Sequence, residues 1–225
     1  MKQAFIFDLD GVIADTARYH YQAWKEVARS LGFDFSEQEG ERLKGVSRME
    51  SLEIMLQAGN ITGMQDDDKK ELAAWKNRIY LKSIRNLSPL DILPGIPEFL
   101  GQIQAEGYGI ALGSASRSGG IILENLGLRP LFDVVVDGRS ITRAKPDPEI
   151  FLKAAEELAV APEHCIVVED AAAGIAAAGK GGMHCIGIGS EETLKGAELI
   201  LEHTGLLARS DYRSLVCRTI DRRKA

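Results

Sequence analysis

Two aspartates stand near the start of the chain, in Phe5-Ile6-Phe7-Asp8-Leu9-Asp10-Gly11-Val12. The apolar run before them reads as a short buried strand, Phe5–Leu9, with the carboxylates where it ends. Side chains two apart on a strand point to the same side, so the spacing brings two like charges together. Such carboxylates raise each other's pKa unless a cation neutralises them. Asp8 and Asp10 therefore predict a metal site, an acid/base pair, or both.

Three other apolar runs end in residues that suit the same chemistry. Gly109–Leu112 leads into Gly113-Ser114-Ala115-Ser116-Arg117-Ser118. Small residues at a strand-to-helix turn let backbone N–H groups and hydroxyls approach an oxyanion. Such turns are common, and this one says little by itself. In Arg143-Ala144-Lys145-Pro146-Asp147-Pro148 the prolines stiffen the turn and open a helix, leaving Lys145 projecting from a rigid loop. Ile166-Val167-Val168-Glu169-Asp170 ends in adjacent carboxylates before a helix of small residues. One acid there would read as a helix cap. Two repel each other unless a hard cation is present, and Mg2+ takes oxygen ligands of this kind.

The elements that must position these residues come in two textures. Phe5–Leu9, Gly109–Leu112, Val134–Val136, Ile166–Val168 and Cys185–Ile188 read as strands. Ile96–Glu106, Ile121–Leu126, Glu149–Leu158 and Ala171–Ala178 read as helices between them. This alternation predicts an α/β fold, a Rossmann-like parallel sheet with helices on both faces. Ligands of such sheets bind beyond the carboxyl ends of the strands. Residues 15–90 show no convincing strand. Tyr19–Leu31, Ser47–Leu56 and Asp68–Ile84 read as helices, and Ser36-Glu37-Gln38-Glu39 as a capping box opening another. The acidic start of Asp66-Asp67-Asp68-Lys69-Lys70 suits a solvated helix N-terminus. The expected division is a core of residues 1–14 and 91–225 with an inserted all-helical cap of residues 15–90. The hinges would be Asp15–Ala17 and the stretch from Ser88-Pro89 to Pro94-Gly95. A helical insert beside an active-site strand end suggests a lid.

The bulk numbers limit the alternatives. The 225 residues are 45% hydrophobic and 27% charged, an ordinary balance for a soluble globular protein. A net charge of -6, from 33 acidic and 27 basic residues, disfavours nucleic-acid binding. No segment approaches the ~18 apolar residues of a membrane span. Asp8 breaks the N-terminal apolar run too early for a signal peptide, so a cytoplasmic location is expected. Cys165, Cys185 and Cys217 are odd in number and lack C-x-x-C spacing, which disfavours a disulfide or zinc scaffold; Cys165 and Cys185 lie in or beside apolar runs and are expected to be buried thiols.

The order of the four strand ends is more specific than any one of them. Asp8-Leu9-Asp10-Gly11-Val12, Ser114, Lys145-Pro146-Asp147 and Glu169-Asp170 together resemble the motifs of the haloacid dehalogenase superfamily of phosphoryl-transfer enzymes. The resemblance spans essentially the whole sheet region. Within the insert, Leu43-Lys44-Gly45-Val46-Ser47-Arg48 and Ser51 look like the cap motif of the β-phosphoglucomutases, as do His20, Trp24, Lys76, Ser88-Pro89 and Leu93-Pro94-Gly95-Ile96. One departure stands out: Ser116-Arg117-Ser118 occupies the place of the expected Ser-Lys-Asn.

The resemblance implies a Mg2+-dependent isomerase that interconverts β-glucose 1-phosphate and glucose 6-phosphate, with β-glucose 1,6-bisphosphate as intermediate and activator. Asp8 would be the nucleophile and Asp10 the general acid/base, positioned by Thr16 and His20. Ser114 and Lys145 would hold the transferring phosphoryl group. The metal would be held by Asp8, the backbone carbonyl of Asp10, Glu169 and Asp170. Substrate contacts would come from Trp24, Gly45, Val46, Ser47, Arg48, Ser51, Lys76, Ala115, Ser116, Arg117 and Ser118, with Arg48 as the clamp for the non-reacting phosphate. The enzyme is expected to act as a monomer on a small sugar phosphate, without nucleic acid or membrane. The nearest alternative is a sugar-phosphate or phosphoglycolate phosphatase of the same superfamily; a more remote one is a non-catalytic, metal-dependent binding protein.

Overall fold

The structure, a computed structural model, describes residues 2–43 and 46–215. Its first strand, β1 (Ala4–Phe7), is buried along its whole length. A strand covered on both faces needs a continuous apolar run, and Ala4-Phe5-Ile6-Phe7 is one. The other strands are β2 (Gly109–Ser114), β3 (Val134–Asp137), β4 (Cys165–Glu169), β5 (His184–Ile188) and β6 (Leu199–Leu201). They form a six-stranded sheet in the order β3-β2-β1-β4-β5-β6, and every pairing is parallel. The chain winds outward from β1 to β3 and then returns to β4 on the other side. The switch in direction falls between β1 and β4, where a ligand crevice opens in sheets of this kind.

Helices α1 (Ala17–Ser30), α2 (Glu37–Glu41), α3 (Arg48–Ala58) and α4 (Asp66–Ile84) lie between β1 and β2 in sequence. The sheet is then flanked by α5 (Ile96–Ala105), α6 (Gly119–Asn125), α7 (Glu149–Glu157) and α8 (Ala172–Lys180). Alternate residues of β1 serve opposite faces. Phe5 and Phe7 join the cluster around Phe99 and Tyr212, whereas Ala4 and Ile6 join the one around Phe151 and Ile175. A third apolar cluster, with Trp24, Val27, Phe35, Leu52 and Met55, belongs to the inserted helices. Cys165 and Cys185 are buried free thiols, and Cys217 lies outside the described residues. Among the described residues, no helix is long and apolar enough to cross a membrane.

Local signals placed several helix starts. Ser36 and Glu39 form the reciprocal capping box at α2. Ser47 caps α3, accepting the Glu50 N–H, and Asp66, Asp67 and Asp68 fill the first turn of α4. Where the chain returns from the insert, Ser88 and Asp91 form a second capping box. The guanidinium of Arg18 on α1 reaches Asp91 Oδ1 at 3.0 Å, tying the outgoing and returning connections together.

Two expectations need correction. β1 stops at Phe7 rather than Leu9, because the Leu9 carbonyl accepts hydrogen bonds from the N–H groups of Ile13 and Ala14 and starts a turn. Gly11 completes that turn at φ 79°, where a Cβ is disfavoured. The edge strand β6 was not anticipated at all. Three half-buried residues are too few to leave a periodic pattern.

The Phe5 ring lies edge-on to Phe99, Tyr108 and Tyr212 at centroid distances of 5.2, 5.1 and 5.4 Å. Phe5→Ala is expected to lower the unfolding free energy by about 3–5 kcal/mol. Urea unfolding would show a lower midpoint with an unchanged slope. A loss under 1 kcal/mol would mean that the cluster repacks without this ring.

Candidate active site

The centre of the site is a buried lysine between two carboxylates. Lys145 Nζ lies 2.5 Å from Asp8 Oδ1 and 2.6 Å from Glu169 Oε1. All three side chains are buried. Lys145 does project from its loop, and it projects into the protein rather than to the surface. The loop before α7 turns it inward beneath the ends of β1 and β4. Burial by itself would lower the Lys145 pKa, but the charges of Asp8 and Glu169 outweigh it and hold the ammonium above its usual value. Glu169 moves upward through burial, with Lys145 opposing and Asp8 reinforcing the rise. Its other oxygen accepts the Ala171 N–H at 2.7 Å.

Asp8, Glu169 and Asp170 each offer a carboxylate oxygen within 4.8 Å of the others. Three carboxylates against one ammonium leave an excess of negative charge, and the donors are all oxygen. That combination fits Mg2+. Close approach also explains two glycines. A Cβ at Gly11 would sit 2.1 Å from Asp170 Oδ2, and one at Gly174 would sit 1.8 Å from Glu169 Oε1.

Asp10 does not share the direction of Asp8. With the strand ended at Phe7, its carboxylate turns toward the inserted helices and accepts a short hydrogen bond from Thr16 Oγ1. His20 Nε2 is 4.0 Å from Asp10 Oδ1. Burial and then the Asp8 charge push the Asp10 pKa up to about 7, against the pull of Thr16, Lys76 and Lys145. A carboxyl poised there can both give and take a proton near neutrality.

The inserted helices close over this end of the sheet. Lys76 Nζ is 2.6 Å from His20 Nδ1 and lies over the rings of Trp24 and Tyr80, at 5.2 and 4.9 Å. Burial and the Arg48 charge bring the Lys76 pKa down to about 7, with Asp10 opposing. Burial, Lys76 and Arg48 hold His20 well below its usual value. It is therefore neutral, and its Nδ1 can accept from the Lys76 ammonium. Arg48 donates to Asn77 Oδ1 at 2.8 Å. Its own pKa is lowered by burial and by Arg117 on the facing loop.

These groups surround a cavity of about 660 Å³, within the range of small-molecule sites. Asp8, Asp10 and Asp170 line one part of it, and Ala115, Ser116 and Arg117 come from the loop after β2. His20, Trp24, Val46, Ser47, Arg48, Ser51 and Lys76 line it from the insert. Ser114, Ser118, Lys145 and Glu169 stand behind that lining. Ser114 Oγ accepts the Ser116 N–H at 3.2 Å, and the Ser118 N–H donates to Ser116 Oγ at 3.3 Å. Ser118 is buried at the start of α6, where it shapes the turn. Gly45 lies outside the described residues. Asn77 and Tyr80 line the cavity without having been singled out. Their signal was position: Tyr80 follows Lys76 by four residues and shares its helix face.

Residues 2–182 match the family model for haloacid dehalogenase-like hydrolases. The chain belongs to this family. It is 44% identical over 203 residues to the β-phosphoglucomutase of Bacillus subtilis, covering 90% of each chain. The crystal structure of a β-phosphoglucomutase from Clostridium difficile superposes with a TM-score of 0.93 at 41% identity, covering 98% of this chain and 99% of that one. Similarity extends to a phosphorylated carbohydrates phosphatase of Thermotoga maritima, 32% identical over 202 residues, 89% of this chain and 90% of that protein. The haloacid dehalogenase-like sheet thus carries both kinds of relative.

The buried Lys76 gives the ligand-free protein a pH signature. Its pKa is about 7 when folded against an ordinary 10.5. The folded state releases this proton first, so stability rises with pH between about 7 and 10.5. Urea unfolding at pH 7 and pH 9.5 should show that rise in the wild type, with a clearly smaller one in Lys76→Met. Identical pH slopes would mean that Lys76 is solvated in the free protein.

Proposed function

We propose that the protein is a Mg2+-dependent β-phosphoglucomutase, converting β-glucose 1-phosphate to glucose 6-phosphate through β-glucose 1,6-bisphosphate. One observation carries this reading beyond the family: the cavity has cationic groups away from the nucleophile. Arg48 from the insert and Arg117 from the loop after β2 are near enough that Arg117 helps lower the Arg48 pKa, after burial. A bound phosphate relieves such a pair, and guanidinium groups bind phosphate through parallel hydrogen bonds. A mutase needs this second phosphate site; hydrolysis of a monoester does not.

In the proposed reaction, an Asp8 carboxylate oxygen attacks phosphorus and the bond to the sugar oxygen breaks, leaving an aspartyl phosphate. Asp10 protonates the departing oxygen. In the return step Asp10 takes the proton from the incoming sugar hydroxyl as that oxygen attacks phosphorus, and the bond from phosphorus to the Asp8 oxygen breaks, freeing the carboxylate. Its pKa near 7 suits both directions. Lys145 offsets the Asp8 charge and, with Ser114, holds the phosphoryl oxygens. Asp8, Asp170, the Asp10 backbone carbonyl, and Glu169 directly or through water would hold Mg2+. Bound there, the metal supplies the positive charge that lets one anion approach another. Thr16 and His20 orient Asp10, while Lys76, Ser51, Trp24 and the segment at Val46–Ser47 contact the sugar. The inserted helices act as a cap that keeps water from the aspartyl phosphate. We take the enzyme to act as a cytoplasmic monomer, since one chain supplies every group named.

A phosphatase is the second reading, favoured by the likeness to the Thermotoga maritima enzyme. Pure β-glucose 1-phosphate with Mg2+ and a trace of glucose 1,6-bisphosphate separates the two. The mutase is expected to yield glucose 6-phosphate with little free phosphate. Stoichiometric free phosphate would establish the phosphatase, and no turnover of any sugar phosphate would leave only a binding protein. Asp8→Asn should abolish the phosphoenzyme, detected by mass spectrometry; normal turnover in that variant would refute the nucleophile. Arg48→Ala is expected to lower kcat/KM for the bisphosphate roughly 10- to 100-fold, with far less effect on acetyl phosphate hydrolysis. Equal losses on both substrates would show that Arg48 is not a clamp for the second phosphate.

A further inference from the structure

Tyr80 has no part in the steps above, yet the structure holds it in an unusual state. Its side chain is 1% exposed. The ring is stacked against His20, with centroids 3.9 Å apart and planes 32° apart, and Lys76 Nζ lies 4.9 Å from its centre. These contacts fix the ring, so the direction of the hydroxyl is fixed with it. The residue lines the cavity. Its hydroxyl has no hydrogen-bond partner.

A buried polar group without a partner is costly, about 1–3 kcal/mol. A residue that served only to pack would do better as phenylalanine. The orphan hydroxyl is set among groups that already bear on ligand binding. Ser116, from the facing loop, is near enough to bear on the phenol, and the charges of Arg48 and Asp10 both reach it. Burial, reinforced by Asp10, keeps the phenol protonated well above its ordinary value. A phenol in that condition can donate a hydrogen bond.

We propose that the Tyr80 hydroxyl is a substrate-binding group, donating a hydrogen bond to the non-reacting phosphate held between Arg48 and Ser116. This rests on the mutase reading of the site. A neutral donor on a fixed ring adds direction where Arg48 and Arg117 supply charge. It would serve the 1-phosphate and the 6-phosphate in turn as the bisphosphate reorients. Asn77 and Tyr80, three residues apart on α4, then act together: one holds the Arg48 guanidinium, and the other faces the same phosphate.

Tyr80→Phe keeps the ring and removes the oxygen. Wild type and variant are compared on β-glucose 1-phosphate with glucose 1,6-bisphosphate, and on acetyl phosphate, which has no second phosphate. The expected result is a KM for the bisphosphate about tenfold higher, equivalent to about 1.4 kcal/mol, with acetyl phosphate hydrolysis within about twofold. The ligand-free melting temperature should be equal or higher, because an unpartnered hydroxyl has gone. The rise in melting temperature caused by glucose 6-phosphate should shrink. An unchanged bisphosphate KM in the variant overturns the proposal alone. So does an equal loss on both substrates, which would place the hydroxyl at the reacting phosphate. A wild type that turns over no hexose phosphate overturns the mutase reading and this inference with it.

Discussion

Lys145 between Asp8 and Glu169 is the interaction on which the site depends. Three carboxylates gathered at the ends of two buried strands would repel one another and favour protonation. A buried ammonium within hydrogen-bond distance of two of them, at 2.5 and 2.6 Å, keeps that density of charge compatible with a folded chain. It does so without full neutralisation, which leaves the cluster suited to a divalent cation. Removal of either kind of partner would strand a buried charge, the costlier outcome for such pairs. The sheet topology makes the meeting possible. β1 and β4 are neighbours in register, Phe7 opposite Val168, so the residues just beyond them emerge side by side at the switch point.

The same strand end separates the duties of its two aspartates. Asp8 still donates its backbone N–H to the Val168 carbonyl and stays with the sheet. Two residues later the turn around Gly11 carries Asp10 toward the insert. One carboxylate therefore lies with the metal-type cluster and the other with Thr16 and His20. Their environments pull their chemistry apart, a pattern typical of paired acid/base and nucleophile roles. On the opposite side, Lys76 and Arg48, with neutral His20 beside them, form a largely desolvated basic ceiling.

Much of this was legible in residue order. The acids, serine and lysine that compose the site each follow an apolar run, and such runs mark strands of a parallel sheet whose ends converge. The helical insert was legible from periodicity and from the caps at Ser36 and Ser47. Other features left no local trace. β6 is too short for a period to register. Tyr80 and Asn77 read as ordinary members of an amphipathic helix until α4 is placed over the cavity. The inward direction of Lys145 left no trace either, because nothing in Ala144-Lys145-Pro146 reports which way the loop folds.

The sequence by itself determined the chemical inventory and the class of fold. Residue type sets what a group can do, and strand-helix alternation restricts which ends can meet. Only the tertiary structure decided how that inventory is shared out. It put Lys145 inside rather than outside, turned Asp8 and Asp10 in different directions, and left the Tyr80 hydroxyl buried and unpaired. The reason is physical. Burial, charge proximity and hydrogen bonding between residues 137 or 24 positions apart, as at Lys145, are set by packing across the sheet. Local propensity along the chain has no access to them.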